Sequence, residues 1–522
     1  MVRAATRVIR PHFDERDGAF GERAFLDLRS MRTSRLLLLP LVWLLASATL
    51  AQPCDCPSTF AWMVTTFEQN DAGFQLVVDR KGAAEYAKHT EVLRNRAQQS
   101  NDVLACTEVM NEWLQWFRRG HIRIGLTEQG QAAMQPTPGS SAQPTAMPEA
   151  RLVKMTEADL VKRYQKAGDA RHPLEGIWTM GPYRVGIVHQ AADSLRFDAV
   201  ILTSENPNWK PGMVKAEVQQ QADGRYTGTF YMGDHSPEPV EASLQGASGS
   251  MLQMRGVWMR QVPAPEFSAS ERMHQRAMDA EAPFLEPLSD RTLYLRIPSF
   301  AFEQKALIDS VLAANDALIR GTENFIIDIR NGTGGSDASY AGLIPYLYSG
   351  PIRSVGVKLR ATELNAAGYE AYADMFGRDT EDGRSCLDIA SRMRASQGGW
   401  IEHDEQPWSV DSSHTVLPFA QRVGIICNEG NGSTDEQFLL EARTSYKVKL
   451  FGKPTFGTLD VSNMRQVTSP DGCFELGYTM SMSHRLPHMP VDVMGIQPDH
   501  YLDEGIPVME WVGYVQRVLE GR

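Results

Sequence analysis

The chain has 522 residues and carries 52 Lys and Arg against 64 Asp and Glu, which gives a formal net charge of −12. This length suggests about two to four domains, and the acidic balance argues against nucleic acid or an anionic membrane as the main partner, because no basic surplus neutralises phosphates. With 42% hydrophobic and 22% charged residues, the composition is that of a folded globular protein and not of a disordered chain.

The first predicted element is a secretory signal peptide at residues 31–51. Arg32 and Arg35 supply a positive segment, and an apolar core and a small-residue cleavage site follow. A membrane-spanning helix needs about 20 apolar residues and Pro40 interrupts this run, so no stable membrane anchor is predicted. Residues 1–30 show no periodicity and are explained by a translation start placed too far upstream. The sequence therefore predicts an exported protein, either periplasmic or extracellular.

Export bears on the six cysteines, which are too few for a disulfide scaffold but enough for one or two bridges. Oxidising conditions favour a disulfide between Cys106 and either Cys54 or Cys56. Cys106 also lies on the apolar face of a predicted helix, so a buried free thiol is the alternative.

Amphipathic periodicity predicts an N-terminal helical domain over residues 52–125. Its first helix has Ser58 as N-cap, its second runs from about residue 83 to 97, and its third carries an apolar stripe from residue 103 to 117. Residues 126–152 are rich in Pro, Ser, Gln and Ala without periodicity, and this composition predicts a linker.

Two further regions complete the predicted fold class, which is multidomain α+β. Residues 153–265 contain short alternating runs separated by turn residues, which predict a small antiparallel β-barrel or sandwich. In residues 266–522 strands alternate with helices, which predicts a parallel-rich α/β core with functional loops at the C-terminal ends of its strands.

Ser433 is the first candidate for chemistry. A buried strand ending at Cys427 leads into a Gly-punctuated turn, and Ser433 stands at the start of the next helix. A nucleophile at that position is exposed by the turn, and the first helical N–H groups can stabilise an oxyanion. Ser433 and Glu436 also have the spacing of a helix capping box, which is a structural alternative.

A glycine-rich segment from Gly332 to Gly335 follows another buried strand. Its glycines allow a sharp turn that presents backbone N–H groups to an anion. A phosphate-binding loop is a competing interpretation, but the Gly-Lys-Ser/Thr sequence that such a loop needs is missing. A plain tight turn between strand and helix is the third interpretation.

Histidines are the remaining candidates. His121 follows the third predicted helix, where a lone histidine is usually structural. His484 and His488 have the i, i+4 spacing that suits a metal on a helix, but Pro487 and Pro490 make a helix there unfavourable. No metal site is predicted.

Five motifs occur in order between Leu293 and Leu502 and resemble one family. They are Tyr-Leu-Arg-Ile-Pro-Ser-Phe at 294–300, Ile-Asp-Ile-Arg-Asn-Gly-Thr-Gly-Gly at 327–335, Gly-Ser-Thr-Asp-Glu at 432–436, Gly-Lys-Pro-Thr-Phe-Gly at 452–457 and Gly-Ile-Gln-Pro-Asp at 495–499. This set resembles the C-terminal processing peptidases and the tricorn core protease. The helical segment around residues 67–74 also looks like that of secreted bacterial members. The resemblance implies a ClpP/crotonase-like core, serine-peptidase activity on peptide or protein substrates, and no metal or organic cofactor.

The resemblance also implies roles for individual residues. Ser433 matches the nucleophile, and Glu436 matches the family's Glu three positions later. The oxyanion hole would use the amide of Thr434 together with Gly334 or Gly335.

The general base is where this chain departs from the processing peptidases. That branch has a Lys immediately after its Thr-x-Gly tripeptide, and this chain has Thr458 there. In the tricorn branch the base is a His from the helical region, which His121 matches, although Gly120 replaces the Ser that precedes it. An acidic residue of that branch corresponds to Asp492. A neutral imidazole is a suitable base for a serine hydroxyl near neutral pH.

The sequence therefore predicts an exported serine peptidase with Ser433 as nucleophile and His121 as base. The alternative is a catalytically inactive protein of the same fold that binds peptides or another ligand, which is favoured by Thr458, by Gly120 and by the β domain. The Gly-Leu-Gly loop of a PDZ domain is missing from that β domain. An acyl-CoA enzyme of the same fold is disfavoured by the export signal.

Overall fold

The computed structural model describes residues 54–100, 102–133, 149–190, 195–246 and 248–522. The predicted extension and signal peptide lie outside these residues, as does the middle of the predicted linker.

The described residues form two compact units, and each unit is assembled from separated stretches of the chain. Unit 1 contains residues 54–133, 357–407 and 463–482, and unit 2 contains the other described residues. The sequence-based division into consecutive domains differs from this arrangement, because two stretches of the predicted core belong with the N-terminal helices.

The first described residues form helical structure that belongs to unit 1. The elements are α1 (Cys56–Asn70), α2 (Phe74–Lys81), α3 (Ala83–Gln99), α4 (Val103–Gln115), β1 (Arg123–Leu126) and α5 (Glu128–Ala133). The predicted N-cap Ser58 is wrong: Asp55 caps α1 and its carboxylate accepts the Ser58 N–H. Pro57 explains the earlier start, because a proline in the first turn leaves no helical hydrogen bond unmade. Helix α5 lies within the segment predicted to be a linker.

A closed eight-stranded antiparallel barrel follows, which confirms the predicted antiparallel β domain and selects the barrel over the sandwich. Its elements are α6 (Glu157–Ala167), β2 (Gly176–Met180), β3 (Tyr183–His189), β4 (Arg196–Ser204), β5 (Val214–Gln220), β6 (Tyr226–Tyr231), β7 (Pro237–Gln245), β8 (Met251–Met254) and β9 (Val257–Val262). Strand β2 closes the barrel on β9. Trp178, Phe197 and Trp258 fill the interior and are fully buried.

The rest of unit 2 before residue 357 begins the α/β core. It contains α7 (Ala269–Met278), β10 (Phe284–Ser289), β11 (Thr292–Arg296), α8 (Lys305–Ala314), α9 (Asp316–Ile319), β12 (Asn324–Asp328), α10 (Asp337–Tyr340), α11 (Ile344–Leu347) and β13 (Ile352–Val355). The next segment returns to unit 1 with β14 (Val357–Arg360), α12 (Glu363–Phe376), α13 (Glu381–Ala395) and β15 (Trp400–Glu402).

The C-terminal part supplies the remaining strands of both units. It contains β16 (Trp408–Asp411), β17 (Arg422–Cys427), α14 (Thr434–Ala442), β18 (Val448–Gly452), β19 (Val461–Thr468), β20 (Phe474–Ser483), β21 (His500–Tyr501) and α15 (Trp511–Glu520). None of the helices in the described ranges is long and apolar enough to cross a membrane.

A six-stranded sheet in the order β10-β11-β12-β17-β18-β21 forms the centre of unit 2. Only β10 is antiparallel to its neighbour, and the other five strands are parallel. Apolar side chains are buried on both faces, as expected for a parallel sheet. The carboxyl ends of β12, β17 and β18 therefore meet at one edge, where loops can build a site.

A second sheet, in the order β1-β20-β14-β15 with β19 beside β20, forms the centre of unit 1. Two disulfides tie this unit together, Cys56–Cys106 and Cys54–Cys473. Of the two predicted partners of Cys106, Cys56 forms the bridge. Cys54 pairs with Cys473, and this bridge was not predicted from the sequence.

Candidate active site

Ser433 lies at the edge of the unit 2 sheet where the loops after β12, β17 and β18 meet. It follows β17 and precedes α14, with a backbone φ of 58° and ψ of −121°. Positive φ is uncommon for a residue with a side chain, and it is typical of the sharp strand–turn–helix that exposes a nucleophile. Ser433 is half-buried, while Gly432 and Thr434 on either side of it are buried. Of these three consecutive residues, Ser433 is thus the one that the local backbone leaves most exposed.

The glycine-rich loop after β12 lies directly against Ser433. Gly334 has φ of 88°, and a Cβ added to it would lie 2.8 Å from the Cβ of Ser433 and 3.3 Å from the amide nitrogen of Thr434. Gly335 continues the loop, pairs with Phe300 and is exposed. The structure therefore brings the backbone of the predicted oxyanion residues to the nucleophile candidate, and a side chain at position 334 fits only if the Ser433 turn shifts.

Three asparagines, which were not predicted as site residues, connect the loops after β12 and β17. Asn428 donates its amide to the side-chain oxygen of Asn331 at 2.8 Å and accepts the Asn331 N–H at 3.0 Å. Asn431 accepts the Asn428 N–H and donates to the carbonyl oxygen of Ile329. The signal in the sequence that could have identified them was the presence of asparagines in the turns after two strands that are parallel neighbours in the sheet.

Glu436 holds the loop after β18 onto Ser433. Its carboxylate accepts the N–H groups of Ser433, Gly457 and Thr458 at 3.2, 2.8 and 2.9 Å, and also the hydroxyl of Thr455. Burial raises the pKa of Glu436 above its usual value, and these four hydrogen bonds oppose that rise. The bond to Ser433 N–H is the one that a capping box would have. Glu436 is thus a buried structural anchor of the loops.

Thr458 occupies the position where processing peptidases have a lysine, and it lies beside the nucleophile candidate. Its carbonyl oxygen accepts the Ser433 N–H at 3.1 Å. A threonine cannot act as a base near neutral pH. Lys447 donates to the carbonyl oxygen of Leu417, and Lys453 pairs with Glu429, so both ammonium groups are engaged by other partners. The geometry around Thr458 does not provide a Ser–Lys pair.

Asp492 belongs to the same group of loops in unit 2. Its carboxylate accepts the N–H groups of Leu459 and Asp460 at 2.6 and 2.7 Å, immediately after Thr458. The buried carboxylate of Asp460 in turn accepts the Asp492 N–H at 2.8 Å and pairs with Arg485. The structure therefore brings Asp492 next to the loop that contacts Ser433.

His121 belongs to unit 1, where it lies in the turn between α4 and β1. It also has positive φ, 56°. Its carbonyl oxygen accepts a bond from Arg118, whose guanidinium forms two bonds of 2.9 and 2.6 Å with the carboxylate of Asp71. Thr479 on β20 donates both its N–H and its hydroxyl to Asp71. A buried ion pair thus fixes the turn that carries the imidazole.

Within the ranges that the structure describes, no group of three His, Cys, Asp or Glu side chains is placed so that it could hold a metal ion. His484 and His488 lie in turns and not on a helix.

Comparison with known proteins finds a family model that matches part of the chain. Residues 291–502 match the model of peptidase family S41, and no curated protein matches the chain. Mature CPAF in complex with lactacystin is 11% identical, with a TM-score of 0.46 over 89% of this chain and 97% of that one. The photosystem II D1 C-terminal processing protease is 12% identical, with a TM-score of 0.36 over 88% and 96%. The tricorn protease is 11% identical, with a TM-score of 0.38 over 90% of this chain and 36% of that one.

All three TM-scores are below 0.5, so only the sequence match to peptidase family S41 bears on the family of this chain. That match covers β11, β12, β17 and β18, together with the three loops that meet at Ser433. Residues 291–502 are thus similar to peptidase family S41 in sequence.

Proposed function

We propose that this protein is an exported serine peptidase that hydrolyses peptide bonds in peptide or protein substrates through an acyl-enzyme. The observation that carries the proposal is the strained turn at Ser433, with φ of 58°, packed against the backbone of Gly334. Strain of this kind costs free energy and persists where function requires it. The match to peptidase family S41 over residues 291–502 supports the same assignment.

In this proposal Ser433 is the nucleophile and His121 is the general base. His121 accepts the hydroxyl proton as Ser433 Oγ attacks the scissile carbonyl carbon, and then returns that proton to the leaving amine. The backbone N–H groups of Thr434 and of Gly334 or Gly335 stabilise the oxyanion. A water molecule, deprotonated by the same imidazole, then hydrolyses the acyl-enzyme. Thr458 supports this assignment over Ser–Lys chemistry, because it provides no base beside Ser433.

The two acids have supporting roles in the proposed mechanism. Glu436 is a positioning residue that fixes the Ser433 turn through the Ser433, Gly457 and Thr458 N–H groups. Asp492 supplies negative charge in the neighbouring loop, where it can orient the imidazolium that forms during attack.

Export is supported by the signal peptide pattern at residues 31–51 and by the two disulfides of unit 1. Disulfides persist in oxidising compartments, and both bridges belong to the unit that carries His121. The proposed location is therefore periplasmic or extracellular.

Labelling with a fluorophosphonate, which reacts with activated serines, tests the proposed function. We expect the wild type to be labelled, Ser433→Ala to be unlabelled, and His121→Gln to be labelled about 100- to 10,000-fold more slowly. His89 is a matched control, because it lies on α3 of the same unit and stacks on Trp116; His89→Gln should be labelled at the wild-type rate.

Two outcomes contradict the proposal in different ways. A folded wild type that resists labelling supports the inactive, ligand-binding protein of the same fold. Full labelling of His121→Gln shows instead that another group activates Ser433.

A further inference from the structure

A surface cavity of about 350 Å³ lies at the amino-terminal edge of the unit 2 sheet. Its lining residues come from the segments before β17 and before β18: Val416, Leu417, Pro418, Gln421, Tyr446 and Lys447. Ser433 follows the opposite, carboxyl end of β17, and a strand of six residues spans about 20 Å. The cavity is therefore separate from the proposed active site, and its volume is in the range that takes small ligands.

Lys447 is the charged residue of this cavity, although only 6% of its surface is exposed. Its carbonyl oxygen accepts the Val423 N–H at 2.9 Å, which fixes its backbone at the start of the sheet. Its Nζ donates to the carbonyl oxygen of Leu417, another lining residue, at 2.7 Å. An ammonium group has three N–H donors. One of them is thus engaged among the described residues, and this bond holds the group beside the cavity.

The charge of Lys447 is not balanced by a carboxylate among the described residues. Burial lowers the pKa of its ammonium group, and no charged side chain in that part of the protein opposes the shift. Glu323 lies next to the lining residue Gln421, whose N–H its carbonyl oxygen accepts. Its carboxylate is already paired with two guanidinium groups, those of Arg291 and Arg422. Because buried charges are normally paired, Lys447 can gain a partner of opposite charge.

Lys215 in the barrel is a buried lysine whose partners all come from the protein itself. It is 1% exposed, and its Nζ donates to the carbonyl oxygens of Tyr231 and Met232. Three aromatic rings also surround the ammonium group, with their centres 4.3, 4.1 and 4.8 Å away. Such contacts stabilise a cation. Lys447 has one carbonyl oxygen and no aromatic ring at these distances within the described ranges, so burial alone does not account for its environment.

We propose that this cavity is a second binding site, which takes a small carboxylate with an apolar substituent and uses Lys447 as the counter-charge. One ammonium group balances a monoanion, whereas a phosphate dianion would remain partly uncompensated. Val416, Leu417 and Pro418 offer aliphatic walls to the substituent. The ring of Tyr446 stands beside them, with 76% of that residue exposed. The inference does not depend on the proposed function.

Calorimetric titration of the full chain with 3-methylbutanoate near neutral pH tests this inference. We expect saturable binding that Lys447→Met weakens about 10- to 100-fold, because hydrogen bonds to a charged group contribute that much to affinity. The neutral 3-methylbutanamide has nearly the same shape and should bind the wild type similarly weakly. Lys449→Met is the matched control, because Lys449 is an exposed lysine on β18, and this variant should bind like the wild type.

Three outcomes overturn the inference: no binding of the acid, equal affinity for the acid and the amide, or unchanged affinity in Lys447→Met. If Lys447→Met does not fold, Val416→Glu replaces it. Val416 is 46% exposed, so the fold tolerates a polar side chain there. The new carboxylate should repel the ligand and compete for the ammonium group, and unchanged binding in Val416→Glu also contradicts the site.

A second titration identifies the source of the carboxylate, which is either a free carboxylic acid or the C-terminus of a polypeptide. N-acetyl-glycyl-leucine presents an apolar side chain next to a C-terminal carboxylate, and Ser433→Ala is used so that hydrolysis does not consume it. Tighter binding than that of 3-methylbutanoate assigns the site to polypeptide C-termini, and weaker binding assigns it to free acids. Because these measurements need no turnover, failure of the proposed function leaves their result unchanged.

Discussion

The turn that carries Ser433 and the turn that carries His121 are each held by one buried carboxylate, and the two carboxylates are compensated differently. Asp71, beside the His121 turn, is paired with the guanidinium of Arg118 and with Thr479. Glu436, beneath the Ser433 turn, accepts three backbone N–H groups and one hydroxyl. The His121 turn thus depends on a contact between charged side chains, whereas the Ser433 turn depends on the path of the backbone. Substitutions that disrupt the His121 turn should therefore act by removing a charge. Those that disrupt the Ser433 turn should act by disturbing the path of the backbone.

The largest effect should come from Asp71→Asn, which leaves the buried Arg118 without its counter-charge. Breaking a buried ion pair by removing one partner costs about 3–5 kcal/mol. Urea unfolding, followed by the fluorescence of the buried Trp113 in the same unit, measures this loss. The matched control is Glu475→Gln, which breaks the exposed pair with Arg123 and should cost under about 1 kcal/mol. Equal losses in the two variants would show that the buried pair does not hold the turn.

Glu436→Gln should reduce stability less than Asp71→Asn does, and its effect should be confined to the Ser433 turn. The amide that replaces one carboxylate oxygen would face N–H groups with an N–H group of its own, and a buried donor left without an acceptor costs about 1–3 kcal/mol. We expect a stability loss of this size together with a strong loss of Ser433 labelling. Glu441→Gln on the same helix, where the carboxylate accepts from Gln437, should leave the labelling rate unchanged. Unchanged labelling in Glu436→Gln would mean that the Ser433 turn keeps its shape without this anchor.

Gly334→Ala should have the smallest effect on stability and a clear effect on reactivity. Alanine at φ of 88° costs about 1–2 kcal/mol, and its Cβ would lie 2.8 Å from the Cβ of Ser433. Gly350→Ala is a control with no atom within 4 Å of the added Cβ. Comparing labelling rates and thermal unfolding of the two variants separates an effect on the Ser433 turn from a general cost of alanine. A fully reactive Gly334→Ala protein would contradict the close contact described here.

The pattern of the sequence was sufficient for the parts of the site that depend on neighbouring residues. The strand before Ser433, the glycine turn and the start of α14 are all encoded within about 20 residues, and backbone propensities act over that distance. The same holds for the alternating strands of the barrel. The N-cap of α1 was missed by three positions, because Ser58 and Asp55 are both good caps and Pro57 decides between them.

Contacts between distant residues could not be predicted in this way. The buried side chain of Asp435 on α14 lies against Gly332, which comes much earlier in the chain, and nothing near Asp435 in the sequence indicates that contact. Cys473 is separated from Cys54 by 419 residues, so its role in a disulfide depends on the assembled unit. The division of the chain into two units also depends on contacts between distant residues. A change in composition can mark a linker, but it does not show which separated segments pack into the same unit.

The pairing of β1 with β20 has a consequence for the order of folding events during synthesis. These strands stand side by side although Arg123 and Glu475 are 352 positions apart. Strand β1, which follows His121, therefore cannot pair until the chain has been synthesised as far as β20, and closing so long a loop is slow. A nascent chain that ends before β20 has the Ser433 hydroxyl but lacks the strand that pairs with β1. Under the proposed function, hydrolysis therefore cannot begin before β20 has been synthesised.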